Sequence, residues 1–234
     1  MTTVARVPLV VHVIHRLDIG GLENGLVNLI NVIPPERYRH AIVCLSGFSP
    51  EFRSRIRRTD VQVSSVDKRP GKDPRAYLRV WRELRRLRPD VVHTRNIGTI
   101  DMQWIACAAR VHHRIHGEHG WYAGDPQGRD ARGRRIRRAC SPAIQQFVAM
   151  SKDIARWLER DVRIPAQRIR QIYSGVDPGR FRPGVEIPAD WPSRFCRCGE
   201  ATEAALPPII LGVVGRLDPI KNQAFILHRV AALR

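Results

Sequence analysis

The chain has 234 residues, 43% of them hydrophobic, which is enough to bury a sizeable core and excludes a disordered polar chain. Its formal net charge is +18, almost all of it arginine, since lysine stands only at Lys68, Lys72, Lys152 and Lys221. So basic a balance favours nucleic acid, an anionic membrane surface or phosphorylated small molecules without choosing among them, and arginine-rich decoration of solvated helix faces accounts for it equally well.

The apolar, β-branched run Val7 to Ile14 predicts a first strand. Paired glycines follow at Gly20 and Gly21, and then helical spacing at Leu22, Leu26, Leu29, Ile30 and Ile33. A glycine turn between strand and helix lets a ligand approach the main chain, and the unpaired N–H groups of the helix start favour an anion there. The turn is neither G-x-G-x-x-G nor a Walker loop, so packing alone explains it as well.

His40 to Leu45 and Val61 to Val66 read as strands, with a short basic helix from Pro50 to Arg58 between them. Pro74 to Arg88 predicts an amphipathic helix with Leu78, Trp81, Leu84 and Leu87 on one side and arginines on the rest, ended by Pro89. Asp90 to His93 is a short strand, Ile100 to Ala109 a helix, and His113 to Gly117 the next strand. From Asp125 to Arg138 a loop runs into a basic helix. Gln146 to Met150 is a strand, and Ser151 is a good N-cap for a helix carrying Ile154, Trp157 and Leu158. Arg168 to Tyr173 is a last strand, the proline-spaced stretch 178–208 a linker, and 208–215 the strand of a fresh α/β unit whose helix runs to Arg234.

Alternating strands and helices joined by short polar turns imply a Rossmann-like parallel sheet with helices on both faces, plus the first strand and helix of a second such domain. Ligands gather at the carboxyl ends of the strands in such sheets. Three polar clusters fall there: Arg16 to Glu23, His93-Thr-Arg-Asn96 and His116-Gly-Glu-His119. No apolar run is long enough to cross a bilayer, and the start lacks a signal-peptide layout, so a cytosolic protein is expected. The scattered cysteines, Cys44, Cys107, Cys140, Cys196 and Cys198, suit a reducing compartment, and Cys196-Arg-Cys198 is too small a set for a metal site.

The Gly20-Gly21-Leu-Glu23 turn, the Glu118-His119 pair, Ser174-Gly-Val-Asp177 with Phe181 and Pro183, and Val214-Gly-Arg-Leu-Asp-Pro-Ile-Lys221 together resemble the family-4 glycosyltransferases of the GT-B fold. The first stretch and His93-Thr-Arg-Asn96 look closest to bacterial sugar transferases associated with exopolysaccharide synthesis. The resemblance implies two Rossmann-like domains: an acceptor-side domain over 1–180, a linker over 181–207, and the incomplete start of a donor-binding domain over 208–234. It implies retaining, hexosyltransferase-type transfer from a nucleoside-diphosphate sugar to the hydroxyl of a glycan or lipid-linked acceptor. No metal or other cofactor is expected. This chain is then expected to be an inactive fragment, cytoplasmic or peripheral on the inner face of the cytoplasmic membrane.

By the family pattern His119 is the active-site histidine near the transferred sugar, and Gly20 and Gly21 lie against the donor diphosphate with Arg216 and Lys221. Arginine offers a planar fork to phosphate oxygens and lysine a point charge. His93, Arg95, Asn96 and Glu118 are acceptor-side candidates, although for His93 and Arg95 a solvent-facing turn is nearly as good an explanation. Glu23 caps or orients the first helix. Ser174 stands where the family pattern has asparagine, which leaves a local turn bond as its role. Trp81 and Trp157 read as core. The rival readings are a basic nucleic-acid-binding protein and a non-catalytic α/β protein. The first is disfavoured because the arginines are spread over many helices and no aromatic stacking platform appears, so no specific nucleic acid is expected.

Overall fold

The computed structural model describes residues 6–71, 73–121, 125, 127–179, 181–184, 211–215, 217 and 221–232. The chain divides into two compact units, 1–175 and 176–234. The first is built on a seven-stranded sheet: β1 (Leu9–Ile14), β2 (Arg39–Cys44), β3 (Gln62–Ser65), β4 (Val91–Arg95), β5 (His113–Glu118), β6 (Gln146–Ala149) and β7 (Ile169–Gln171). The order is β3-β2-β1-β4-β5-β6-β7 and every pairing is parallel. The chain winds outward from β1 in one direction and then, from β4, in the other. The point of reversal between β1 and β4 is where a crevice opens in such sheets.

The helices are α1 (Gly21–Val32), α2 (Pro50–Arg53), α3 (Pro74–Leu87), α4 (Met102–Ala108), α5 (Ala131–Cys140) and α6 (Lys152–Arg160). Strand alternation assigns them to faces. Leu9, Val11 and Val13 join Ala41, Val43 and Val92 in a core covered by α3 and α4, and Phe147 and Ala149 pack with α5 and α6 on the same side. Ile14, Ile42 and Cys44 face the other way, against Leu26, Val27 and Ile30 of α1 and Phe52 of α2. Beyond β1 that second face has no helix over it among the described residues, and Val91, Ile115, Val148 and Met150 are only half-buried.

Local chemistry sets the helix ends. Asp73 accepts from the N–H of Ala76 ahead of Pro74, Asp130 accepts from Arg132 and Gly133, and Ser151 accepts from Ile154 as its sequence position predicts. α3 ends at Arg88 in the left-handed region (φ 49), one residue before Pro89. The buried stripe of α3 is Ala76, Val80 and Leu84, with Leu87 packed against the same core, so of the predicted Leu78, Trp81, Leu84 and Leu87 the last two face the sheet and the first two do not. Leu78 and Trp81 are 47% and 36% exposed because Ala76 and Val80 take the places on the helix nearest the sheet. Trp157 is core as predicted, its indole N–H donating to the Gly128 carbonyl at 2.9 Å.

In the second unit, α7 (Gln223–Ala231) follows Asn222, and the N–H of Phe181 donates to the Asp177 carbonyl. Of the strand predicted over 208–215, residues 208–210 lie outside the described residues. Leu211 to Gly215 carry no strand pairing among the described residues, and Val214 is fully exposed.

Candidate active site

The site begins at the glycine turn. Gly20 is the N-cap of α1 in extended backbone, with no side-chain cap, and the first N–H groups of the helix face the carboxyl edge of the sheet. The Glu23 carboxylate folds back over Gly20, where any Cβ would collide with it. A negative group therefore rests at the helix start, the end that favours anions. From the end of β4, Arg95 reaches the same turn, its guanidinium donating to the Leu22 carbonyl at 3.2 Å. Arg95 is 7% exposed, and burial pushes its pKa down to about 10 while Glu23 pushes it up, so it remains a cation.

Next along the edge, Asn96 lies just past β4 at φ 55 and ψ 171, with its N–H on the Gly117 carbonyl at 2.8 Å. Its Oδ1 accepts from the backbone N–H of His119, just past β5, at 2.8 Å. Gly117 leaves room for the rings above it: a Cβ there would lie 2.8 Å from His119 Nε2 and 3.1 Å from His93 Nε2. Burial lowers His119 to about 4, and Arg95 and His116 add to it. His119 is thus a neutral imidazole at physiological pH.

Glu118 points the other way. Its carboxylate, 2% exposed, takes Arg137 Nε at 2.6 Å and Nη2 at 3.1 Å, and lies 3.2 Å from His116 Nε2. Burial raises this carboxyl, but His116 and Arg137 outweigh it and hold it at about 2. Successive residues of a strand face opposite sides, so Glu118 belongs to the α5 side of the sheet and is absent from the cavity lining.

On the α1 side a cavity of about 460 Å³ runs along the sheet from β2 toward β7. Gly21, Leu22, Leu29 and Ile33 of the α1 segment form one wall, and Val10, Val91, Ile115, Val148 and Ile172 the apolar floor. Its polar groups include His93, Arg95 and His119, together with His12, His40, Tyr38, Tyr173 and Ser174, which the sequence reading did not place in a site. Ser174 Oγ meets Met150 Sδ at 3.3 Å instead of forming the expected turn bond. His12 and His40 were legible in hindsight, as single polar residues in the apolar alternation of β1 and β2 on the face opposite Val11 and Ala41.

The three strand histidines are bonded in a row. His12 Nε2 lies 3.1 Å from His40 Nδ1, and His12 Nδ1 lies 3.3 Å from His93 Nδ1. Burial depresses His12 and His93 well below the ordinary histidine value, with neighbouring rings and Arg95 adding to it, and burial with Arg58 lowers His40 to about 4. All three are neutral at pH 7. Nε2 of His40, His93 and His119 and Nε of Arg95 are buried with no hydrogen-bond partner.

The structure thus brings Gly21, His93, Arg95 and His119 to one cavity, with Gly20 and Asn96 shaping its rim. Lys221 belongs to the second unit, and Arg216 lies outside the described residues. Among the described residues no group of three or more His, Cys, Asp or Glu is arranged to hold a metal ion, and no helix is long and apolar enough to cross a membrane.

A parallel sheet wound both ways from β1, with a glycine turn and the buried Arg95 at its carboxyl edge, defines a Rossmann-like α/β domain. The chain belongs to Glycosyltransferase Family 4, whose family model matches residues 19–180. Comparison with curated proteins gives no match. Among solved structures, Anabaena HepE (Alr3699) in complex with UDP has a TM-score of 0.60 at 14% identity over 79% of this chain and 48% of its own. Its complex with UDP-glucose has a TM-score of 0.60 at 14% identity over 80% of this chain and 48% of its own. A glycosyltransferase from Rickettsia africae ESF-5 has a TM-score of 0.57 at 16% identity, over 75% of this chain and 47% of its own. The chain spans about half the length of these structures.

Proposed function

We propose that this chain carries the acceptor-side domain of a retaining glycosyltransferase that moves a sugar from a nucleoside-diphosphate sugar to an acceptor hydroxyl, in the synthesis of an exopolysaccharide or other cell-surface glycan. The observation behind the reading is the meeting of the α1 N-terminus, Arg95, His93 and His119 along one cavity at the carboxyl edge, in a chain of this family. HepE was crystallised with UDP and with UDP-glucose, which favours a nucleotide-sugar donor here.

In this reading the helix N–H groups at Gly20 and Gly21, with Arg216 and Lys221, stabilise the charge that develops on the leaving diphosphate. They do so without a metal or other cofactor. Glu23 must yield its place when the diphosphate arrives. His119 contacts the transferred sugar as a neutral hydrogen-bonding group, since a pKa of about 4 leaves no cation to donate. His93 and Arg95 meet the acceptor, and Asn96 positions His119. Glu118 supports this edge from the opposite face through Arg137. In this reading residues 1–180 form the acceptor domain, 181–207 a linker and 208–234 the start of the donor domain, and the 234-residue chain is inactive by itself.

The acceptor is a glycan or a lipid-linked sugar, at the cytoplasmic face of a membrane. The observation favouring an anionic membrane surface is the cluster of Arg134, Arg135, Arg138, Arg160 and Arg163 around a cavity of about 390 Å³ on the α5–α6 side. No specific nucleic acid is a partner in this reading.

The test is sugar transfer from UDP-glucose, measured on the 234-residue chain and on a protein in which a whole donor domain follows it. Transfer is expected from the longer protein only, lowered about a hundredfold by Lys221→Ala or Arg216→Ala and also cut by His119→Ala in folded protein. Transfer unchanged in all three variants, or no donor binding by the longer protein, overturns the reading.

A further inference from the structure

We propose that the cavity beside α1 takes an uncharged, hydroxyl-bearing group held between His40 at one end and His93 at the other, with His12 fixing which of the two donates. The inference deepens the transferase reading only in naming that group as part of the acceptor. The site itself stands on the geometry of the three rings.

A neutral imidazole carries one N–H and one lone pair. Each of the two bonds in the row, His40 to His12 and His12 to His93, needs one hydrogen. If the hydrogen of His12 is on Nε2, it donates to His40 Nδ1, and His40 must carry its own hydrogen on Nε2. His93 must then donate from Nδ1 to His12, which leaves a lone pair on His93 Nε2. If the hydrogen of His12 is on Nδ1, every assignment reverses: His40 Nε2 is the lone pair and His93 Nε2 the donor. No third arrangement satisfies both bonds with neutral rings. One free end is always a donor when the other is an acceptor.

Both free ends are buried and without a protein partner, on rings that line the cavity. His12 is 2% exposed and His40 3%, and the row advances across the floor in ring-to-ring steps of 5.3 and 5.4 Å. An unpartnered polar atom in an apolar enclosure is costly, so these ends ask for a ligand. An acceptor-only group such as a carboxylate or phosphate cannot satisfy both ends, and neither can a donor-only ammonium. Hydroxyls satisfy both in either state, because each can donate or accept. The floor of Val10 and Val91, beside the row on β1 and β4, offers such a ligand an apolar bed. Arg95 and His119 lie near the His93 end and by charge alone would invite an anion, so the preference for a neutral ligand comes from the requirement at both ends.

The experiment uses the 234-residue chain with 15N-labelled histidine at pH 7.5 and two probes with the same apolar body, trans-1,4-cyclohexanedimethanol and trans-cyclohexane-1,4-dicarboxylate. Ring-nitrogen NMR shifts report the fraction of each histidine protonated on Nε2. The fractions for His40 and His93 are expected to sum to one, and the diol is expected to shift the two in opposite senses. It should bind at least about tenfold more tightly than the dicarboxylate, the scale of one buried polar atom left unsatisfied. The chain's positive charge alone would favour the dicarboxylate. In His12→Phe the sum is expected to leave one and the preference to fall. The sum measured in the unaltered chain decides the matter even if that variant fails to fold. A dicarboxylate that binds as tightly as the diol, fractions that vary independently in the unaltered chain, or histidine signals that neither probe moves would each overturn the proposal. No nucleotide or transferable sugar enters this test, so its failure is distinct from failure of the transferase reading.

Discussion

His119 is held by Asn96: its backbone N–H donates to the asparagine Oδ1 at 2.8 Å, across the ends of β5 and β4. Asn96 adopts φ 55 and ψ 171, close to a region almost reserved for glycine, so this contact is kept at the expense of local strain. Asn96→Ala keeps the strain and loses the acceptor, and should destabilise the chain by about 1–3 kcal/mol while broadening the His119 ring signals. Asn96→Gly should recover the stability without the His119 order. Identical behaviour of the two variants in urea melts and NMR would show that the side chain does not position the histidine.

Gly117 makes room for two rings. A methyl group there would come within 2.8 Å of His119 Nε2 and 3.1 Å of His93 Nε2, and both are far ends of side chains that can turn away. Gly117→Ala is therefore expected to fold, with a loss of about 1–3 kcal/mol from overpacking, and to displace both imidazoles. Unchanged His93 and His119 resonances in the alanine variant would mean that the rings are not packed over this glycine.

The histidines also set a pH dependence. His12, His40, His93 and His119 all have folded-state values below the unfolded value of about 6.5. Their contribution is fully present above about pH 6.5 and is lost as pH falls, because the unfolded chain gains protons that the folded chain refuses. For His40 and His119 the loss ends near pH 4, where the folded rings protonate too. Glu118 stays ionised down to about 2, so its bonds to Arg137 and His116 contribute no change between pH 6.5 and 5. Urea midpoints measured at pH 7.5, 5.5 and 4.5 should fall steadily, and His40→Phe should flatten the curve by up to about 1.4 kcal/mol per pH unit. A flat profile in the parent chain would contradict burial of these rings.

Anionic vesicles are expected to bind the chain in a salt-sensitive way through the helices over the α3–α6 side. That side carries the arginines lining the α5–α6 cavity, and Leu78, Trp81 and Trp104 are exposed on α3 and α4. Near an anionic leaflet each arginine contributes roughly 1 kcal/mol, so reversing Arg134 and Arg135 to glutamate should lower partitioning tenfold or more, to order of magnitude. Equal sedimentation with anionic and zwitterionic vesicles would remove this surface from consideration.

Much of the fold was legible because its signals are local: the Val7 to Ile14 run, the cap at Ser151 and the glycine pair each act within a few residues. The face of α3 was read only in part, Leu84 and Leu87 but not Ala76 and Val80, because leucine and tryptophan counted for more in the pattern than the small residues that let a helix sit close to a sheet. Glu118 and His119 were read as a pair, yet adjacent strand residues face opposite sides, and only the pairing partner Arg137 reveals where the carboxylate goes. The role of His12 and His40 needed the strand order, since nothing local says that β1 lies between β2 and β4.

That strand order also bears on how the molecule comes into being. β1 is made first, and its neighbour on one side, β2, follows within a few seconds at ordinary rates of synthesis. Its neighbour on the other side, β4, does not leave the ribosome until both α2 and α3 have been made. His93 reaches the row only from that side, so the His12 ring lies between two imidazoles only when the early and late parts of the sheet are joined.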